Sequence, residues 1–138
     1  GYCGADLYLY AQTLGLNTWW VGGMFNGKGA MKHMDATNVR INGVIAIGYG
    51  QTQGVPHKSK TAAEVSQYNG TAPQWFADGV EALLYAPTAL NKQPYMVKGE
   101  GDRVSITAGE GHFAGIDLGI GKYHFEVGAG KDNFQWVK

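Results

Sequence analysis

The sequence predicts a fold of mixed α and β class on three observations. Apolar residues recur at helical spacing in separate segments, and short β-rich runs lie between them. Glycine is abundant, 22 in 138 residues, but is spread along the chain rather than gathered in linkers. Such glycines mark turns and close backbone approaches within a folded domain. The length suits one domain, and a chain of this size buries roughly 65–70% of its unfolded surface.

Leu7, Tyr10, Ala11 and Leu14 fall at i, i+3, i+4 and i+7 and predict a helix over 5–14, stopped by Gly15. Asn17–Val21 is β-rich and ends at Gly22-Gly23. Residues 28–34 predict a short helix. Ile41–Ile47 is a nearly continuous apolar run, the pattern of a strand buried on both faces. Residues 48–60 predict a loop. Pro73 suits the first turn of the next helix, with Phe76, Val80, Leu83 and Leu84 as its buried stripe. Pro87 disfavours helical geometry at Ala86 and ends it. Tyr95–Lys98 and Arg103–Ala108 predict a hairpin across residues 99–102. Phe113, Ile116, Ile120, Tyr123 and Val127 predict a final helix containing Gly115, Gly119 and Gly121. Each of these glycines costs about 1 kcal/mol against alanine, which close packing against another backbone would justify. Phe134–Val137 predicts a last strand.

Composition excludes some classes of function. Eleven basic residues balance eleven acidic ones, so no bulk charge draws the chain to nucleic acid or anionic lipid. No apolar run approaches the ~18 residues of a membrane span. The lone Cys3 forbids an intramolecular disulfide and, with no signal peptide visible, points to a cytoplasmic setting. The chain opens on Gly1 directly before a helical pattern, as expected of a processed chain or the later part of a longer one.

No nucleophile and base pair stands out. His33, His57, His112 and His124 share no metal-ligand spacing. Gly22 to Gly29 matches GxxxxGK after a strand, but Gly29 stands where a phosphate loop needs a magnesium-binding hydroxyl. Gly22-Gly23 can still bring backbone amides flat against a planar ligand. In His57-Lys58-Ser59-Lys60 the two lysines point the same way if the loop is extended. That arrangement is either a phosphate clamp or a solvated basic loop. In "APTALNKQP", residues 86–94, two prolines bracket Thr88, Asn91 and Gln93. Their hydroxyl and carboxamide groups suit the edge of a heterocycle held by a rigid turn. Equally, they suit a helix-to-strand connection whose polar groups satisfy its own backbone.

These segments resemble the FMN-dependent nitroreductase family. "APTALNKQPY" is similar to the family's "APSAxNxQPW", and "ADLYLYAQTLGLNTWWVGGMF" to its "xNLLLAAxxLGLGTCWIGGF". "VIAIGYG" resembles "VxAVxALGYP", "PHKSK" stands where the family carries a basic phosphate-contacting loop, and the tail from Ile116 resembles a two-half subgroup. The order is reversed from that of ordinary members, and the family's arginine-rich "RRSxR" loop has no counterpart; the only arginines are Arg40 and Arg103. The resemblance therefore implies an α+β fold, a nitroreductase-like mixed sheet flanked by helices, and the C-terminal part of a longer chain.

It also implies roles. Gly22, Gly23 and Met24 approach the flavin ring, Lys58 and Lys60 neutralise the FMN phosphate, and Pro87, Thr88, Ala89 and Asn91 line the ring's edge. Trp20 packs behind the site. FMN passes hydride from NAD(P)H to a nitroaromatic, quinone or similar small acceptor, with no side chain needed as acid or base. The implied protein partner is a missing N-terminal half or a second copy in a homodimer. Nucleic acid and membrane are not implied. The rival readings are a non-catalytic flavin-binding or structural half, and a triphosphate-binding domain, which Gly29 opposes.

Overall fold

The computed structural model describes residues 1–34 and 38–138. The chain divides into two compact units, one formed by Leu7–Gln53 and the other by Gly1–Asp6 with Gly54–Lys138.

The smaller unit takes most of helix α1 (Tyr2–Thr13), then strand β1 (Asn17–Val21), helix α2 (Gly27–Met31) and strand β2 (Val44–Gly48). β1 and β2 pair antiparallel, with Trp19 opposite Ala46 and Val21 opposite Val44. The ring of Trp20 meets Tyr8 of α1 edge-on at 6.4 Å. Two expectations change here. The helix forms, but its periodic stripe faces out: Leu7, Tyr10 and Leu14 are exposed, while Tyr8 and Ala11 are buried. The sequence of α1 is apolar on nearly every side, so spacing alone does not select the buried face. The second strand begins at Val44 rather than Ile41, and its residues are half-buried or exposed instead of covered on both faces. Among the described residues its sheet has two strands.

The larger unit holds helices α3 (Ala62–Val65), α4 (Gln74–Leu84) and α5 (Ala114–Ala129) with strands β3 (Ser66–Asn69), β4 (Tyr95–Glu100), β5 (Arg103–Ala108) and β6 (Gln135–Trp136). The sheet order is β3-β4-β5-β6: the outer pairs are parallel and the central β4-β5 hairpin is antiparallel. Strand alternation decides the faces. Tyr95, Val97, Val104 and Ile106 turn inward and are buried with Phe76, Val80 and Leu83 of α4 and Ile120 and Phe125 of α5. An aromatic cluster closes one end of this core. Phe134 stacks on Trp75 at 5.7 Å and meets Phe125 and Trp136 edge-on.

The expected packing of α5 against another backbone holds at Gly119 alone; Gly121 packs closely too, but against side chains. A Cβ on Gly119 would stand 2.7 Å from the Tyr2 backbone nitrogen, and one on Gly121 would stand 2.8 Å from the Tyr95 ring. Gly115 faces open space. Gly128, not singled out from the sequence, lies so close to α4 that a Cβ would stand 2.6 Å from that of Ala82. Val127, included in the expected stripe, is exposed.

A buried carboxylate ties distant parts of this unit together. Glu126 of α5 accepts hydrogen bonds from the Tyr2 hydroxyl and from Trp136 Nε1 (2.7 Å), and pairs with Lys131 at 2.9 Å. Burial works to raise its pKa, but these three donors outweigh burial and hold it below the usual carboxylate range. Nearby, the Tyr123 hydroxyl donates to Asp6 at 2.6 Å, which raises the phenol to about 12.

Candidate functional site

Helix α4 ends at Leu84, and residues 85–94 carry the chain into β4. Pro87 and Pro94 constrain the ends of this connection, with a 3₁₀ turn at Ala89–Asn91 between them. Leu90, Asn91 and Gln93 have positive φ (54°, 53° and 43°). Left-handed backbone costs about 1–2 kcal/mol at a non-glycine residue. Surrounding contacts must hold it, and they are visible.

The Gln93 side chain is fully buried and acts as a hub. Its Oε1 accepts from the Lys60 backbone N–H at 2.7 Å, and its Nε2 donates to the Leu84 carbonyl at 2.9 Å. Its backbone N–H donates to Thr88 Oγ1 at 2.9 Å. Asn91 Nδ2 donates to the Lys58 carbonyl at 2.9 Å, and Lys60 Nζ donates to the Gln93 carbonyl at 2.9 Å. Ser59 Oγ donates to the Leu84 carbonyl at 3.0 Å, and His57 Nε2 reaches the Tyr85 carbonyl at 3.4 Å. The 57–60 loop is thereby bound to the C-terminus of α4, whose last carbonyls have no partner within the helix.

Ala89 is held from below. Its backbone N–H donates to Asp117 Oδ1 at 3.0 Å, from a side chain only 5% exposed in the first turn of α5. Burial pushes the Asp117 carboxyl up, and the Ala89 amide partly offsets the shift. The imidazole of His124, also on α5, is pushed down by burial, against a contact with the Ala82 carbonyl that raises it.

Lys58, Lys60, Thr88, Ala89 and Asn91 thus come together in the larger unit, joined by backbone and side-chain bonds, with Pro87 at the head of the turn. Much of their polar capacity is used internally, but not all. Lys60 keeps two ammonium hydrogens and Thr88 its own hydroxyl hydrogen. Asn91 keeps its side-chain oxygen, and Lys58 is exposed. Leu90 stands at the tip, 87% exposed.

Gly22, Gly23 and Met24 belong to the smaller unit, just after β1. Met24 also has positive φ (61°) and a fully exposed side chain. In the GxxxxGK-like stretch, Asn26 Oδ1 accepts from the Gly29 N–H at 2.9 Å and caps the five-residue α2. Among the described residues there is no metal-binding cluster of His, Cys, Asp and Glu, and no helix is long and apolar enough to cross a membrane.

Residues 1–129 match the family model described as "Putative TM nitroreductase". The chain belongs to this family. A crystal structure of a putative nitroreductase from Thermotoga maritima has the same fold, at a TM-score of 0.72 and 23% identity. The match covers 95% of this chain and 54% of that one, so the chain spans about half the length of its solved relative. No curated protein matches.

Two roles in this turn are not announced by the sequence. Asp117 sits 28 positions from the amide it holds. No local pattern announces it, beyond an acidic residue near the start of a helix. Gln93 was noted for its polar edge, but its burial as the hub of the turn follows only from the packing.

Proposed function

We propose that the chain is part of an FMN-dependent oxidoreductase of the nitroreductase type, acting on a nitroaromatic, quinone or similar small acceptor with NAD(P)H as donor. The observation that carries this reading is the wired turn at residues 87–93. It is a strained, pre-formed edge with unused donors and an acceptor beside two lysines, within a chain of this family. The residues fit the group chemically. Lys58 and Lys60 offer ammonium donors to a phosphate, while Thr88 and Asn91 offer a donor and an acceptor to a heterocycle edge.

Bound there, FMN would supply the hydride-transfer chemistry between a nicotinamide and the acceptor. The chain's own residues bind and orient. Lys60, anchored on the Gln93 carbonyl, presents its charge with little loss of side-chain freedom. Pro87 and Ala89 supply the apolar part of the edge, with Ala89 fixed by Asp117. Gly22 and Gly23 leave the backbone bare for contact with a ring, and Met24 adds an apolar side chain. The reading takes the working partner to be a second copy of the chain or an N-terminal half.

The visible spectrum of the purified protein tests it. A flavin band near ~450 nm, with FMN released on heating, supports the reading. In that event, changing Lys58 and Lys60 together to alanine weakens FMN binding by roughly tenfold. An unchanged dissociation constant rejects the clamp. The second reading, a half-domain without catalysis of its own, is favoured by the 54% coverage of the solved relative. It predicts protein that stays colourless when FMN is added.

A further inference from the structure

The outward face of the four-stranded sheet bears a second collection of polar groups, independent of the flavin reading. Helices α4 and α5 cover the inner face only, so alternate residues of β3, β4 and β5 face solvent. Strand register arranges them in two rows. Gln67, Lys98 and Ser105 form one; Asn69, Glu100, Arg103 and Gln135 form the other. Six of these, Gln67, Asn69, Lys98, Glu100, Arg103 and Ser105, line a hollow of about 470 Å³. That lies within the range of roughly 300–1,000 Å³ usual for small-molecule sites.

The charges in this hollow are not mutually satisfied. Lys98 and Arg103 are diagonal neighbours across the hairpin, a placement that sets Cβ atoms roughly 7–8 Å apart and lets long side chains converge. Neither has a carboxylate within salt-bridge distance among the described residues, although Glu100 sits directly opposite Arg103. Glu100 accepts instead from Asn69 Nδ2 at 2.6 Å. Two cations therefore stand beside neutral hydrogen-bonding groups from Gln67 and Ser105, on a chain with no net charge.

A second hollow of about 470 Å³ adjoins the first, sharing Lys98, Ser105 and Val137. Its outward wall is formed by Met96 and Thr107, and it is also bordered by Ile106 and Trp136, whose side chains face the helices. Lys122 lies over the Trp136 ring, 5.0 Å from its centre.

We propose that the outer face of this sheet binds a phosphomonoester. Lys98 and Arg103 take the phosphate, and the organic body lies in the adjoining hollow against Met96 and Thr107, which share the outer face. The arginine fork matches two phosphate oxygens and the lysine adds a point charge. Ser105 and Gln67 complete the donors, and Glu100 disfavours ligands carrying further negative charge.

Calorimetric titration at constant ionic strength, with phenyl phosphate and inorganic phosphate as probes, tests this. Phenyl phosphate is expected to bind several-fold more tightly than inorganic phosphate. Lys98→Ala and Arg103→Ala are each expected to weaken it about tenfold, and Glu100→Gln to tighten it. All three residues are exposed, so the variants fold. Binding is expected to survive in the Lys58→Ala, Lys60→Ala protein, which separates this face from the flavin clamp. Heats no larger than those of matched sodium chloride overturn the proposal, as does binding indifferent to Lys98 and Arg103. Equal affinity for the two probes overturns the ester assignment, and loss of binding in the Lys58/Lys60 variant alone moves the anion to the other site.

Discussion

Replacing Glu126 by alanine should be among the most damaging single changes in the larger unit. The carboxylate is 8% exposed and accepts from the Tyr2 hydroxyl and Trp136 Nε1. Each such bond to a charged acceptor is worth about 1.5–3 kcal/mol, and removal leaves both donors without this partner. The Lys131 partner is 65% exposed and screened by solvent, so its share is small beside these two bonds. The sum is roughly 4 kcal/mol, on the order of 15 °C in Tm for a domain of this size. Glu126→Gln keeps the shape and one acceptor and should cost about 1–2 kcal/mol, while Lys131→Ala should be the mildest of the three. Urea unfolding followed by tryptophan fluorescence measures all three. The effect must also depend on pH with a definite sign. The folded-state pKa lies below its ordinary value of 4.5, so the carboxylate's stabilisation is present above that value. It is lost as pH falls through the lower folded value, and the gap between wild type and Glu126→Gln should shrink there. An alanine variant within 1 kcal/mol of wild type, or a gap that widens in acid, would refute the reasoning.

Two further predictions concern packing and the turn. Gly128→Ala would drive a methyl group into Asp78 and Ala82 of α4; roughly 3 kcal/mol of overpacking, less about 1 of helix propensity, leaves a net loss near 2. Gly115→Ala, facing open space in α5, should instead gain about 0.5–1 kcal/mol, and thermal melts of the pair give opposite shifts if the helix packing is as described. Asp117→Ala should cost about 1–3 kcal/mol by leaving the Ala89 amide without its acceptor, whereas Asp117→Asn should stay within about 1 because it keeps a carbonyl oxygen there. The raised Asp117 pKa means the folded state holds this proton more tightly. Its contribution to stability falls as pH rises through the folded value, so the asparagine variant should gain on wild type toward neutral pH. A loss as large for asparagine as for alanine, at every pH, would remove Asp117 from the support of the turn.

The elements that could be read from the sequence are those whose signal is local. Proline at 73 and 87 brackets α4, and the turn at 99–102 between β-rich runs announces the β4-β5 hairpin. The family resemblance rests on contiguous motifs and was equally readable. What escaped is non-local or short. Thr61-Ala62-Ala63-Glu64 carries a capping box, with the Glu64 carboxylate taking the Thr61 N–H and hydroxyl at 2.8 Å, yet α3 and the parallel strand β3 fall in a stretch to which the sequence assigns no element. Four-residue elements give too few positions for a period to show. The exposed face of α1 could not be chosen because the helix is apolar nearly all round. In the site, the lysines and the turn were found by composition. That Asn91 grips the Lys58 carbonyl, and Gln93 the Lys60 amide, depends on two segments 33 residues apart meeting.

The inward wiring of the 87–93 turn bears on what its motif can certify. Thr88, Asn91 and Gln93 are the letters that make "APTALNKQP" recognisable, and each is committed to the backbone of the turn or the adjoining loop. Replacing any of them disturbs folding before it disturbs chemistry. If the flavin reading holds, a descendant that had lost its cofactor would still keep the signature, because selection for a folded connection alone preserves it. Loss of function would show first at the positions the fold leaves free: the exposed Lys58 and the outward Leu90.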